Sequence, residues 1–512
     1  MKQLPTILNR MGASPIFILS ISLLLSFLYC PPFDILFDDK YIFTYIGRVI
    51  AHGAVPYRDV FDHKPPLIFF FNYFGGLLGP WGLWLIDTLL VMTASLFFFR
   101  LCQRFRLAWP WLLPLLFNLL LRNYLVCLGL GMTRAYTAIF MLLFFCFLFN
   151  GSGYKYFWLG LLTAAIFFMQ QDQLIPLLPF CVYALFSDFS PKPGATQSPT
   201  SGTTQSPNSG HVNIARNLLL GLAGLLTLSA PILLYFGLHH ALSYFWECAF
   251  QFNFSWYTEK IPFIIHFRST KEALENSGLQ LPLILALVAG ITAVALKSTN
   301  KLLIGSSLLA LVLSFIPEYL SGKLIVGHAF YYYFLPLSAI IPILIFTVWA
   351  YTKEDFLLGR KSQGFYGILL CFIPLYNALQ HGTHLNTTAY DSLRTAPEYR
   401  WLQPQKLTDY QLFVFGNDNW VYLYNELDIL SPSRWIYQHF WTWYPAWDAD
   451  QQQMHGIIDD LQRHQTKYIL NDLHEFPWKN LQARDTWLSF LDKYYRPIAT
   501  PHSPYTTFWE RK

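Results

Sequence analysis

The sequence predicts a polytopic α-helical membrane protein of about eleven transmembrane helices closed by a small soluble α/β domain. Three observations lead there. Of 512 residues, 54% are hydrophobic and 13% are charged. The apolar residues gather into repeated runs, long enough to cross a hydrocarbon core of about 30 Å. From about Asn386 onward the composition turns soluble, and short strand-like and amphipathic segments replace the runs.

The runs fall near 13–31, 81–99, 108–124, 135–149, 156–171, 174–187, 216–238, 280–296, 302–320, 331–351 and 363–380. The first ends at Pro31 and Pro32 with no small-residue cleavage site, so it reads as a retained helix rather than a removed signal. Lys and Arg are in modest excess in loops that are internal if the N-terminus is cytoplasmic, with Arg100, Arg104 and Arg106 closing the second run. The C-terminal domain is then periplasmic, the expectation being a bacterial inner-membrane protein. The stretch 187–210 is rich in Ser, Thr, Pro and Gly and reads as a disordered cytoplasmic loop. Residues 1–385 are therefore assigned to the membrane domain and 386–512 to a periplasmic α/β domain. In the latter, Gln411 to Gly416 reads as a buried strand, Met454 to Arg463 as an amphipathic helix and Lys467 to Leu470 as another strand.

Composition also excludes some functions. The net charge of +5 has no basic run with interleaved aromatics, which argues against nucleic acid. Seven cysteines stand singly in apolar segments, with neither CxxC nor Cys/His spacing, so no disulfide framework, zinc site or other metal constellation is expected.

The chemistry is expected between Asp34 and Leu67, where five acids accompany Lys40, Arg48, His52, Arg58, His63 and Lys64. Charges cannot remain in hydrocarbon without partners or water, so this loop belongs at an aqueous interface. Tyr41, Ile42, Tyr45, Ile46, Val49 and Ile50 recur at helical spacing and predict a short interfacial helix that Gly53 ends. Pro65 and Pro66 suit the opening of a second interfacial helix, Leu67 to Leu78.

FDDKY at Phe37 to Tyr41, then HGAVPYRDVFDHKPPL at His52 to Leu67, directly after the first span, resemble the GT-C superfamily of polytopic glycosyltransferases. The likeness is to the protein O-mannosyltransferase and lipid A aminoarabinose transferase branch. GHAFYYYFLPL at Gly327 to Leu337 and PSRW at Pro432 to Trp435 are similar to later parts of bacterial members. The resemblance implies a GT-C fold and sugar transfer from a polyprenyl-phosphate carrier to a hydroxyl acceptor: lipid A, another envelope glycan or a protein. The donor is a lipid-linked substrate, and no cofactor or metal is implied.

Such a transfer needs a carboxylate to take the acceptor proton and cations to stabilise the departing phosphate. By the resemblance, Asp38 is the base, with Asp39 its neighbour or substitute. Lys64 leads the phosphate partners, with His63, Arg58, Lys323 and His328 behind it. The branch often carries a further acid at the end of the second outer loop, where this chain has Thr133 and Arg134. Arg134, Asp87 and Asp62 are therefore candidate acceptor or carrier contacts, and Asp87 is expected to pair with Arg134 or Arg122. Asp172, in QQDQL, reads as a solvated turn residue.

Simpler readings of the same residues stay open. Asp38 and Asp39 also suit a helix cap, Lys64 a snorkelling contact with headgroups and His328 an interfacial anchor. The main functional alternative is a polyprenyl-linked sugar transporter or flippase without transfer chemistry, although no internal repeat is visible and the charge concentrates in one outer loop rather than at the midplane.

Overall fold

The computed structural model describes residues 14–33, 38–123, 125–127, 129–150, 152–189, 209–255, 263–295, 298–317, 331–352, 360–383, 394–416, 418–438, 441, 447–472, 478–498 and 506–512; at some helix ends, Asp38 among them, the backbone alone is described. The expected disordered loop falls largely outside these residues. So do Asp34, Lys323, His328 and the side chain of Asp38.

Helices occupy every apolar run. They are α1 (Pro15–Phe27), α2 (Asp38–Ala51), α3 (Leu67–Leu77), α4 (Gly82–Arg104), α5 (Leu112–Leu121), α6 (Thr133–Leu148), α7 (Lys155–Met169), α8 (Leu174–Phe189), α9 (Ser209–Leu238), α10 (Phe263–Ser277), α11 (Gln280–Ala295), α12 (Lys301–Leu313), α13 (Leu337–Tyr351) and α14 (Arg360–Thr383). Length and composition alone single out three crossings among the described residues, Gly82–Arg104, Ala215–Leu238 and Tyr331–Tyr351. A fourth results if α10 and α11, bent by 106°, are one broken span. Apart from α14, with 24 residues, the other apolar helices are shorter, so the expected number of crossings does not follow from helix length.

Local chemistry accounts for the helix starts. Ser14 caps α1 by accepting from the Ile16 amide at 3.2 Å, with Pro15 in the first turn, where its missing N–H costs nothing. Glycines set the closest approaches. On α2, a Cβ at Gly47 would stand 2.7 Å from the backbone of Asn72 on α3, so the two helices of the first loop cross in direct contact. On α7 and α9, a Cβ at Gly160 would lie 1.9 Å from the Gly221 carbonyl, and one at Gly224 would lie 1.8 Å from that of Phe157. Small residues let these backbones touch, as in membrane helix pairs generally. α7 in turn leads into the loop that follows Met169.

The C-terminal region forms a four-stranded sheet of order β1-β2-β4-β3, from β1 (Leu412–Phe415), β2 (Tyr468–Asn471), β3 (Tyr495–Ile498) and β4 (Thr507–Arg511). β1 and β2 run parallel, with Leu412 opposite Tyr468, and the other pairs are antiparallel. A parallel pair needs a crossover, and α15 (Gln452–Arg463) lies in that connection. Every residue of β1 and β2 is buried, with Phe415 stacked on Trp487 of α16 (Leu481–Tyr494) at 3.9 Å.

This domain is docked on α2. Arg48 donates to the carbonyls of Tyr424 and Ile429 at 2.8 and 2.5 Å and to Asp428 at 2.7 Å. Asn425 Nδ2 donates to the Tyr41 carbonyl at 3.0 Å, and Tyr45 accepts from the Ser431 amide at 2.8 Å. A long polar side chain with three acceptors fixes orientation as well as distance.

Gly224→Ala is expected to force α7 and α9 apart and to destabilise the protein by about 1–3 kcal/mol. Gly305→Ala, where a Cβ would meet nothing within 4 Å, is expected to be neutral or to stabilise by up to roughly 1 kcal/mol. Thermal unfolding of both variants in detergent checks the difference.

Candidate active site

The segment from Val55 to Pro66 folds under the C-terminal domain instead of lying in solvent. Asp62, His63 and Lys64 are buried, at 2%, 8% and 7% exposure. Burial makes their hydrogen bonds obligatory, and the chain bends to satisfy them. Tyr57 adopts φ +70°, which a bulky side chain rarely tolerates. Its amide donates to the Val60 carbonyl at 2.8 Å, its ring packs against Phe69, Phe236 and Phe245, and its hydroxyl donates to the Lys64 carbonyl at 2.7 Å. Asp62 Oδ1 accepts from the Lys64 amide at 2.7 Å, and Asn253 Nδ2 donates to the His63 carbonyl at 2.8 Å.

The far side of this segment is held by the C-terminal domain. The Phe61 amide donates to the Arg434 carbonyl at 2.8 Å, and Phe61 lies 4.3 Å from the Trp435 ring. The Tyr437 hydroxyl donates to Asp62 Oδ2 at 3.2 Å and lies 3.4 Å from His63 Nδ1. With the Tyr437 proton directed at Asp62, the hydroxyl oxygen is left to accept from Nδ1–H, which selects the His63 tautomer.

Burial pushes the Asp62 carboxyl up to about 7, and the nearby charge of Asp39 adds to the rise, while the Lys64 amide and charge and Tyr437 oppose it. Burial and the carboxylates of Asp62, Asp418 and Asp39 hold the Tyr437 phenol well above its ordinary range. Asp39, partly exposed on α2, is thus electrically coupled to the segment that carries Lys64.

His63 and Lys64 line a cavity of about 540 Å³. Arg134 joins them from the start of α6, and Gln170, Gln171 and Asp172 from the break between α7 and α8. Phe167, Trp246, Phe250 and Phe254 supply an apolar wall. Arg134 is 2% exposed, its Nη2 donates to Asp172 Oδ2 at 3.2 Å, and its guanidinium lies 4.0 Å from the centre of the Tyr333 ring. Asp172 is therefore not the solvated turn residue that its sequence context suggests: a residue 38 positions away in the chain draws it into the cavity wall. Sequence alone offered one hint, the interruption of an apolar run by four amide or acid side chains.

The remaining candidates lie elsewhere. Arg58 pairs with Asp59 at 2.7 Å and donates to the His239 carbonyl at 2.9 Å, away from the cavity lining. Asp87 forms its ion pair with Arg122 rather than Arg134. Both are buried, and Arg122 is further held by Ser26 Oγ at 3.4 Å and faces the Tyr29 ring at 5.4 Å, so the pair ties α1, α4 and α5 together. Asp62 stands behind the cavity lining, bonded to the residues that form it. Among the described residues no group of three or more His, Cys, Asp or Glu is placed to hold a metal ion.

No protein-family model matches the chain, and no curated protein matches it. The arrangement of helices followed by a small sheet is nevertheless a known one, the GT-C fold anticipated from the first loop. Among solved structures the chain is similar to the crystal structure of ArnT from Cupriavidus metallidurans bound to undecaprenyl phosphate. The TM-score is 0.61 at 12% identity, and the match covers 96% of this chain and 97% of that one.

Replacing Asp62 by Asn tests the buried carboxyl. The folded protein holds this proton up to about 7, whereas the free carboxyl titrates at 3.8, so the native protein binds more protons between those values. Stability contributed by the group is complete below 3.8 and is lost as pH rises through about 7. Asp62→Asn is expected to flatten the fall in Tm over that window, measured by differential scanning fluorimetry against the parent chain.

Proposed function

We propose that the protein is an integral-membrane glycosyltransferase that moves a sugar from a polyprenyl-phosphate carrier to a hydroxyl acceptor at the periplasmic face. The observation that supports this most directly is the convergence of Lys64, His63 and Arg134 on one apolar-walled cavity, within a fold similar to that of a protein solved with undecaprenyl phosphate. Cations in a low-dielectric wall attract a phosphate far more strongly than they would in water. Trp246 and Phe254 line the cavity yet are 62% and 73% exposed, giving the carrier chain an apolar exit toward lipid. In this reading most apolar helices cross the bilayer, about eleven in all, with the N-terminus cytoplasmic.

In the reaction, the acceptor oxygen forms a bond to the anomeric carbon as the bond from that carbon to the phosphate oxygen breaks. The electron pair leaves on the phosphate, where Lys64 stabilises the added charge. The acceptor proton passes to Asp38 or Asp39. The charge of Asp39 acts on both Asp62 and Tyr437, which supports a place for it near the segment that carries Lys64. The acceptor is a lipid, glycan or protein hydroxyl.

Purified protein in nanodiscs, supplied with sugar-bearing polyprenyl phosphates, is expected to release polyprenyl phosphate and glycosylate an envelope acceptor. Lys64→Ala should slow transfer by about 100- to 1,000-fold. Whichever of Asp38→Asn and Asp39→Asn removes the base should slow it by about 100- to 10,000-fold. Full turnover in all three variants removes the assignment; movement of the lipid-linked sugar across vesicles with no product makes the protein a transporter.

A further inference from the structure

Two stretches of different chemistry line the cavity. Lys64 and His63 come from the loop before α3, whereas Gln170, Gln171 and Asp172 come from the break between α7 and α8. There α7 stops at Met169, Gln170 is extended at φ −164°, and a single turn precedes α8. The break turns polar side chains toward a space otherwise walled by aromatic rings.

Each of these side chains is anchored at one atom and leaves another open. Gln171 Nε2 donates to the Ala249 carbonyl at 2.9 Å, while its Oε1 is buried without a partner among the described residues. Asp172 uses Oδ2 for Arg134 and leaves Oδ1 buried and unpartnered among the described residues. Arg134, almost wholly buried, leaves Nη1 in the same condition. Two acceptors and one donor, rigidly held and desolvated, require partners that both give and receive hydrogen bonds. Sugar hydroxyls do both. Phe167, Phe250 and Trp246 stack in series, at 5.6 and 5.1 Å between ring centres, and give the same cavity an apolar wall against which the C–H groups of a sugar ring would pack.

Charge narrows the class of sugar. Among the described lining residues, Lys64 and Arg134 are cationic and Asp172 is the one carboxylate, already opposed by Arg134. With the carrier phosphate against Lys64 and Asp172 against Arg134, an ammonium group would leave its own charge unopposed among the described lining residues and would lose its hydration in entering. A neutral ring meets neither cost.

We propose that the Gln171–Asp172–Arg134 cluster is the sugar subsite of the cavity and that it takes an uncharged, hydroxylated hexose or pentose in preference to an amino sugar. This rests on the lipid-phosphate reading and specifies the donor for that same site. Asp172 and Gln171 accept from ring hydroxyls, Arg134 Nη1 donates to one, and the carrier phosphate lies toward Lys64.

The test is equilibrium binding to the full chain in nanodiscs by microscale thermophoresis. The probes are undecaprenyl phosphate alone, undecaprenyl phosphate bearing glucose, mannose or arabinose, and undecaprenyl phosphate bearing glucosamine or mannosamine. The best neutral probe is expected to bind at least five-fold more tightly than the bare carrier and than either amino probe. Asp172→Asn and, independently, Gln171→Ala should each cut that advantage at least three-fold without weakening the bare carrier, since neither removes a cation. A general loss of structure would weaken every probe. An amino probe binding as tightly as the best neutral one, or an advantage retained in both variants, overturns the proposal. Failure of the parent protein to bind even bare undecaprenyl phosphate would instead remove the lipid-phosphate reading beneath it.

Discussion

The Asp62 carboxyl is the constraint on which the rest of the cavity depends. One oxygen accepts the Lys64 amide and the other the Tyr437 hydroxyl, both in the interior. An acid so placed is costly unless its bonds are made, and making them requires the His63–Lys64 turn and the docked C-terminal domain together. The left-handed Tyr57 reinforces the turn from the opposite side through the Lys64 carbonyl. Lys64 thus reaches the cavity from a backbone bound at its N–H and its C=O, so its position is set by the fold itself. Pre-alignment of this kind lowers the reorganisation a reaction would otherwise require.

The same coupling gives the C-terminal domain a part in the site. Tyr437 and Trp435 follow the segment that carries Ser431 and Ser433, and this segment is fastened to α2 through Tyr45 and to the first loop through Phe61. Arg48 repeats the attachment three residues beyond Tyr45, with its guanidinium spread over two carbonyls and Asp428. A domain held at several points along α2 also holds the first loop, from which Lys64 and His63 enter the cavity.

The apolar runs and the first-loop motifs were legible because they depend on local facts: periodicity, a glycine at φ +86° ending α2, and proline at the start of α3. β1, β2 and α15 were legible for the same reason, with their boundaries displaced by a residue or two. β3 and β4 were not, since Tyr495–Ile498 carries Arg496 and Pro497 and reaches the sheet only by pairing with β4 at its edge. Contacts that close over long sequence distances were equally invisible. Asp172 reads as a loop acid until Arg134 appears beside it, and Asp87 has two plausible cations in sequence but one in space. Charge places the first loop at an aqueous interface, but it does not reveal that Asp62, His63 and Lys64 within that loop are buried, because their hydrogen bonds are closed by a distant domain.

Helix polarity bears on how the cavity would receive an anion. Lys64 precedes the first turn of α3, where unpaired amides place partial positive charge. A lysine beside that end is disfavoured by the dipole, and Pro65 and Pro66 soften the conflict because neither contributes an N–H. An anion there meets the lysine charge and the helix end acting in the same sense, so occupancy relieves the repulsion between them. Arg134 also stands in the first turn of its helix, α6, where its charge is shared between Asp172 and the face of Tyr333. Two helices thus begin at one cavity, each with a cation at its N-terminal end, and an anion between them would meet both helix ends acting in the same sense.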